Sequence, residues 1–200
     1  GFEVETNLDF DRSWGLGSSS TFINNIAQWA QVNPYELLDK TFGGSGYDVA
    51  VAQTKQALLY TRNEYTPVVQ SLSYDPPFRD QLYFVHLNKK QDSQQEVIAY
   101  HKRSKPSKKQ IETINELTTS LLSASTLSRF NELITAHEKL IGSLLQQTPI
   151  IEHLFPDFNG AIKSLGAWGG DFILATGASC PTYFNEKGYT TVVPYAEMIA

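Results

Sequence analysis

Trp14-Gly15-Leu16-Gly17-Ser18-Ser19-Ser20-Thr21 runs directly into Phe22, Ile23, Ile26, Ala27, Trp29 and Ala30 at helical spacing. Two glycines one residue apart let the backbone approach a bulky anion with no Cβ in the way, and both can take positive φ without strain. The serines then open a helix, so its free first-turn N–H groups and the positive end of its dipole point at one place. Each hydroxyl can cap the helix, bond a phosphate oxygen or ligate Mg²⁺. Gly/Ser tracts are also ordinary loops and linkers. The amphipathic helix starting directly behind this one is what a linker lacks, and the stretch reads as a phosphate loop.

The 200 residues, 41% hydrophobic with mixed charge, suit one large or two small folded domains rather than a disordered chain. A net charge of -5 argues against a general nucleic-acid binder. No apolar run approaches the ~20 residues that cross a bilayer, and no secretory signal opens the chain. The lone Cys180 excludes an internal disulfide, and no Cys/His cluster suits zinc, so a cytoplasmic location is expected. The chain starts at Gly1-Phe2-Glu3, with its only methionine at Met198, and reads as a piece of a longer protein.

Phe2 to Phe10 alternates in part, with Val4, Thr6 and Leu8 against Glu3, Glu5, Asn7 and Asp9, which predicts a strand feeding the glycine loop. Helices are expected over Ser18 to Ala30 and from Pro34 to about Lys40, the second opened by Asn33 as cap, Pro34 at the first position and Glu36 in a capping box. Phe42-Gly43-Gly44-Ser45-Gly46-Tyr47-Asp48 is a second flexible loop entering a small-residue helix or strand. It sets Asp48 at the junction, either reaching a ligand or capping a helix. Gln56 to Arg62 and Val68 to Ser73 form a hairpin pattern. Tyr74-Asp75-Pro76-Pro77 breaks it, and a domain change is expected there.

Leu82 to Leu87 reads as a buried strand. Lys102, Arg103, Lys105, Lys108 and Lys109 read as a solvated connection and helix start rather than a phosphate site. Ser107 and Gln110 form a capping box before Ile111, Ile114, Leu117 and Leu121. A further helix carries Leu127, Phe130, Leu133, Ile134, Leu140, Ile141, Leu144 and Leu145, with His137 on its apolar face as a packed residue. None of His86, His101, His137 and His153 has a partner at metal spacing. After a short helix at Pro149 to Phe155, Lys163-Ser164-Leu165-Gly166-Ala167-Trp168-Gly169-Gly170-Asp171 is a third glycine turn before a buried strand, and Thr190 to Val193 makes a last strand. A Gly-Gly pair there also suits a plain hairpin or bulge.

Taken together, Gly-Leu-Gly-Ser-Ser, Gly-Ser-Gly-Tyr-Asp and Lys-Ser-Leu-Gly-Ala-Trp-Gly-Gly-Asp resemble the three loops of the GHMP small-molecule kinases, from Leu8 to Ala175. Asp11 stands where the family's first loop has proline, Ser20 replaces alanine, and Trp168 occupies a glycine position. Gly-Ser-Gly-Tyr-Asp-Val-Ala and the Gly-Gly-Asp ending look closest to mevalonate and phosphomevalonate kinases. The family's N-terminal lysine and Gly-Glu-Tyr/His element have no match here, so the chain alone is expected to catalyse poorly.

The resemblance implies an α+β, GHMP-kinase-like two-domain fold. Residues 1–77 would be the C-terminal portion of the ATP-binding domain and 78–200 a ferredoxin-like C-terminal domain. It implies a transferase of isoprenoid biosynthesis, using ATP and Mg²⁺ to phosphorylate mevalonate or phosphomevalonate. Gly15, Leu16, Gly17, Ser18, Ser19 and Ser20 would bind nucleotide, with Ser19 also on the metal. Asp48 would be the catalytic carboxylate, and Ser45, Gly46, Gly166, Ala167, Gly169 and Gly170 would face substrate and phosphate. Mevalonate kinases add a metal-binding Glu on the helix before the aspartate; Glu36 and Asp39 fall at other spacings. Expected partners are ATP and a small acceptor, with no nucleic acid and no membrane, and a homodimer is left open. The alternatives are a non-catalytic nucleotide- or metabolite-binding relative, and an interaction module whose glycine loops are only turns.

Overall fold

Capping chemistry explains several of the element starts in the computed structural model, which describes residues 3–54, 56–90, 98, 100, 105–166, 168 and 170–199. Helix α1 (Ser18–Ala30) follows Gly17, and α2 (Pro34–Thr41) follows Asn33, whose side-chain oxygen accepts from the amides of Tyr35 at 2.8 Å and Glu36 at 3.3 Å. The Glu36 carboxylate lies 4.0 Å from Lys40, one turn on. Helix α3 (Tyr47–Gln53) follows Gly46. The hairpin forms as β1 (Ala57–Thr61) against β2 (Val68–Leu72), antiparallel, with Ala57 opposite Leu72.

The strand expected at Phe2 to Phe10 is not formed over its described part. Residues 3–8 carry no regular structure, and Val4 and Leu8 are exposed. Alternation makes a strand only where a ladder partner and an apolar surface receive it, and this segment meets neither. Asp11 instead accepts from the Ser13 amide and hydroxyl, both at 2.7 Å, capping a 3-10 turn over Arg12–Trp14.

The chain divides into two units, Gly1–Tyr74 and Asp75–Ala200. In the first, α1, α2 and α3 meet around Ile23, Leu38 and Val49, with Tyr35 and Leu37 packed beside them. Only Ile23, Asn24 and Ala27 of α1 are buried, whereas Phe22 and Trp29 of the expected apolar face are exposed.

The second unit is built on a four-stranded antiparallel sheet in the order β4-β5-β3-β6: β3 (Leu82–His86), β4 (Ile162–Ser164), β5 (Phe172–Thr176) and β6 (Val192–Pro194). Its first strand lies between its third and fourth, the split β-α-β pattern. Helices α4 (Lys108–Leu122), α5 (Leu127–Leu145) and α6 (Ile150–Leu154) join β3 to β4; α7 (Cys180–Glu186) joins β5 to β6, and α8 (Tyr195–Met198) follows. The Ser107 and Gln110 box opens α4, each accepting from the other's backbone amide.

Strand alternation divides the core in two. Val85, Ile162, Ile173 and Ala175 pack with Phe155, Phe158 and Phe184, while Leu82 and Leu174 pack with Phe130, Leu133 and Ile134. Lys105, Lys108 and Lys109 are exposed, as expected of a solvated helix start; Lys102, Arg103 and His101 lie outside the described residues.

Candidate functional site

Gly15 and Gly17 adopt left-handed conformations, at φ 68 and φ 74, and Gly17 is the N-cap of α1 with no side-chain cap hydrogen bond. The open end of α1 therefore presents first-turn N–H groups that the helix itself cannot satisfy. A Cβ built on Gly17 would have nothing within 4 Å, so there is open space above the loop for a ligand atom. Ser18 and Ser20 are half-buried and Ser19 is exposed. Thr21 turns its hydroxyl onto the Gly17 carbonyl at 3.2 Å, which closes the turn behind them.

The second loop repeats this design. Gly43, Gly44 and Gly46 all have positive φ, and Gly46 is the N-cap of α3, again without a side-chain cap. Asp48 is in the first turn rather than at the cap, so the capping alternative for it does not hold. Its carboxylate sits at the positive end of α3. Asp48 is exposed, yet the protein packed around it raises its pKa above the usual carboxylate range, against the opposing hydrogen bond from Tyr47. Burial and the neighbouring Asp48 push the Tyr47 phenol up to about 12.

Helices α1 and α3 pack on each other in the first unit. Ile23 lies about 7.5 Å along α1 from its start, and Val49 about 3 Å from the start of α3, at 1.5 Å per residue. Both belong to one core cluster, so the two helices share one core in this unit. Gly44, Ser45 and Gly46 line a cavity of about 280 Å³ together with Tyr35, Arg62 and Tyr65. A shallower depression of about 330 Å³ at the C-terminal end of α5 holds none of the residues singled out in the sequence.

The third loop lies in the second unit. Gly166 has φ 57 and is exposed, Gly170 is buried, and Ala167 and Gly169 lie outside the described residues. Trp168 adopts φ 64, the backbone region that a glycine would occupy at no cost, and is only 6% exposed. Its indole N–H donates to Glu138 Oε1 at 3.3 Å. Glu138 is a residue the sequence reading missed. It is 2% exposed, also accepts from the Ser164 hydroxyl at 2.9 Å, and lies 3.6 Å from the Lys163 ammonium. The available signal was its place on the stripe Phe130, Ile134, Glu138, Gly142, four residues apart on one face of α5.

No protein-family model and no curated protein matches the sequence. Among solved structures the chain is similar to Streptococcus pneumoniae phosphomevalonate kinase in complex with phosphomevalonate and AMPPNP, with TM-score 0.67 and 17% identity over 90% of this chain and 67% of that one. The likeness to this kinase is one of fold. A Lin0012 protein from Listeria innocua matches with TM-score 0.66 and 17% identity, over 92% of this chain and 67% of that one. L. major mevalonate kinase in complex with R-mevalonate matches with TM-score 0.57 and 18% identity, over 92% of this chain and 63% of that one. The GHMP-kinase likeness is thus one of fold, and the chain spans about two thirds of the length of each structure.

Among the described residues of this GHMP-kinase fold, no group of three or more His, Cys, Asp and Glu could hold a metal ion. Among the same residues, no helix is long and apolar enough to cross a membrane.

Proposed function

We propose that this chain is part of an ATP-dependent kinase that phosphorylates a small mevalonate-pathway metabolite, mevalonate or phosphomevalonate. The observation that carries the reading is the pairing of two helices, each opened by an uncapped left-handed glycine, one bearing three serines and the other a carboxylate. Phosphoryl transfer asks for little else from a protein, because positioning and charge neutralisation supply most of the catalysis.

ATP with Mg²⁺ brings the transferable γ-phosphoryl group and much of the neutralising charge. In this reading the amides of Gly17, Ser18 and Ser19 hold phosphate oxygens, with Gly15, Leu16 and Ser20 shaping the loop, and the Ser19 hydroxyl is a metal ligand. Asp48 accepts the proton of the attacking oxygen or orients it. A carboxyl with a raised pKa is better matched to that task than an ordinary surface aspartate. In this reading Ser45 and Gly46 contribute backbone to substrate contacts in the first unit, and the third glycine loop of the second unit, with Gly166 and Gly170, is taken by itself as a phosphate-contacting loop. The proposal takes residues 1–77 as the rest of the ATP-binding domain and 78–200 as the C-terminal domain, in a cytoplasmic enzyme.

The competing reading, a relative that binds nucleotide or metabolite without transferring phosphate, is motivated by the bulky Trp168 in a glycine position and by the first-loop flanks, where Asp11 and Ser20 depart from the family motif. The buried indole and its glycine-like backbone favour the kinase instead, because the side chain is turned into the protein. A coupled ADP-release assay on the complete gene product, with mevalonate and with phosphomevalonate, is the test. Acceptor-dependent ADP release supports the proposal; MgATP binding with no phosphorylated product from either acceptor overturns it.

A further inference from the structure

The Glu138 carboxylate takes its three polar partners from one short stretch, Lys163, Ser164 and Trp168, which spans the end of β4 and the third glycine loop. Burying a carboxylate at 2% exposure is costly unless every oxygen is matched, and here Oε1 meets the indole and the ammonium while Oε2 meets the hydroxyl. Burial by the surrounding protein lowers the Lys163 pKa, and the neighbouring Glu138 opposes that shift. The Lys163 ammonium also donates to the Ser164 carbonyl at 3.1 Å.

Trp168 fits this arrangement tightly. A Cβ added at Gly142, one turn along α5 from Glu138, would stand 2.8 Å from the Gln147 carbonyl and 3.1 Å from the indole ring, so a side chain there would crowd both. The loop backbone is then fixed at both ends. Trp168 N–H donates to the Leu165 carbonyl at 3.3 Å, and Asp171, at φ 52, exchanges backbone bonds of 2.7 Å with Lys89 and Leu87.

We propose that Glu138 is the positioning residue of the third glycine loop: it holds Trp168 inward and Lys163 and Ser164 in place, and so fixes the loop backbone around Gly166 and Trp168 in the shape that meets a phosphate. The phosphate-meeting part of this inference rests on the function proposed above, whereas the anchoring does not. Glu138 touches no substrate in this account. It acts through Trp168, which replaces the freedom of a glycine with a tethered side chain.

Hydrogen exchange of the complete gene product tests the anchor with no substrate present. In Glu138→Gln, which keeps the shape and removes the charge, and in Trp168→Phe, which keeps the ring and removes the N–H, amides of 164–171 exchange faster by about tenfold or more, while those of Ser18 to Thr21 are unchanged. The double variant shows less than the sum of the two single effects, because both cut one connection. Steady-state kinetics then test the consequence. With the acceptor that the wild-type protein phosphorylates, both variants lose about tenfold or more in kcat with little change in the ATP KM, the mark of an interaction used in the transition state. Unchanged exchange at 164–171 in both variants overturns the anchor whether or not the protein is a kinase. Faster exchange with unchanged kcat overturns the role of the loop while leaving the proposed activity standing. If Glu138→Gln fails to fold, Trp168→Phe decides by the same two readings.

Discussion

Tyr60 donates its phenolic hydrogen to the Ser45 carbonyl at 2.7 Å, so the β1–β2 hairpin braces the glycine loop that leads into Asp48. The same hydroxyl lies 3.0 Å from where a Cβ on Gly46 would stand, and so does the Tyr35 ring. The bond and the close packing both depend on glycine at 46, which also has φ +85.

Tyr60→Phe should remove one hydrogen bond and leave the packing. The expected cost is about 0.5–1.5 kcal/mol of stability, read as a lower urea midpoint, together with a lower kcat/KM as Asp48 loses its fixed approach. Unchanged values of both would mean that the loop holds its shape without the hairpin.

Gly17→Ala asks an L-residue to adopt φ 74 with no steric neighbour to blame. The backbone strain is about 1–2 kcal/mol, which lowers Tm by a few degrees. The added methyl also stands where a phosphate oxygen is expected, so the ATP KM should rise by about tenfold or more, equivalent to roughly 1.4 kcal/mol. A lower Tm with an unchanged KM would remove this loop from nucleotide binding.

His137 gives a pH prediction. Burial, with Lys163 nearby, lowers its pKa to about 4, and its Nδ1 has no protein hydrogen-bond partner. The folded pKa is below the unfolded value of about 6.5. The unfolded chain therefore binds more protons between the two, and stability is full above 6.5 and lost as pH falls toward 4. His137→Leu should flatten that decline, measured as the difference between wild-type and variant urea midpoints from pH 7 to pH 4. A difference that does not change with pH would show that His137 does not titrate in this range.

Local chemistry made much of this fold legible before any coordinates. Gly17 before the serines, Asn33-Pro34 and the Ser107–Gln110 pair each fix a helix start through groups within four residues, and all three helices begin where those residues put them. What depended on distant partners was not legible. The alternating segment ending at Phe10 needed a strand to pair with, and the exposure of Phe22 and Trp29 depended on which elements reach α1. The three-residue β4 and the short α7 are held by the sheet rather than by their own propensities.

The candidate site divides in the same way. The left-handed turns at Gly15 and Gly17, the helix opening at Ser18 and the helix-start place of Asp48 were legible because glycines, serines and a carboxylate act there through their immediate neighbours. Glu138 carried only the signal of its place on the stripe Phe130, Ile134, Glu138, Gly142, because its partners Ser164 and Trp168 lie 26 and 30 positions along the chain.

The most direct measurement is the turnover of Asp48→Asn in the complete gene product, by coupled ADP release with saturating MgATP and the acceptor the wild-type protein uses. The account predicts a loss of about 10² to 10⁴ in kcat, with MgATP binding retained in calorimetry. Turnover near that of the wild type would contradict it and take Asp48 out of the chemistry.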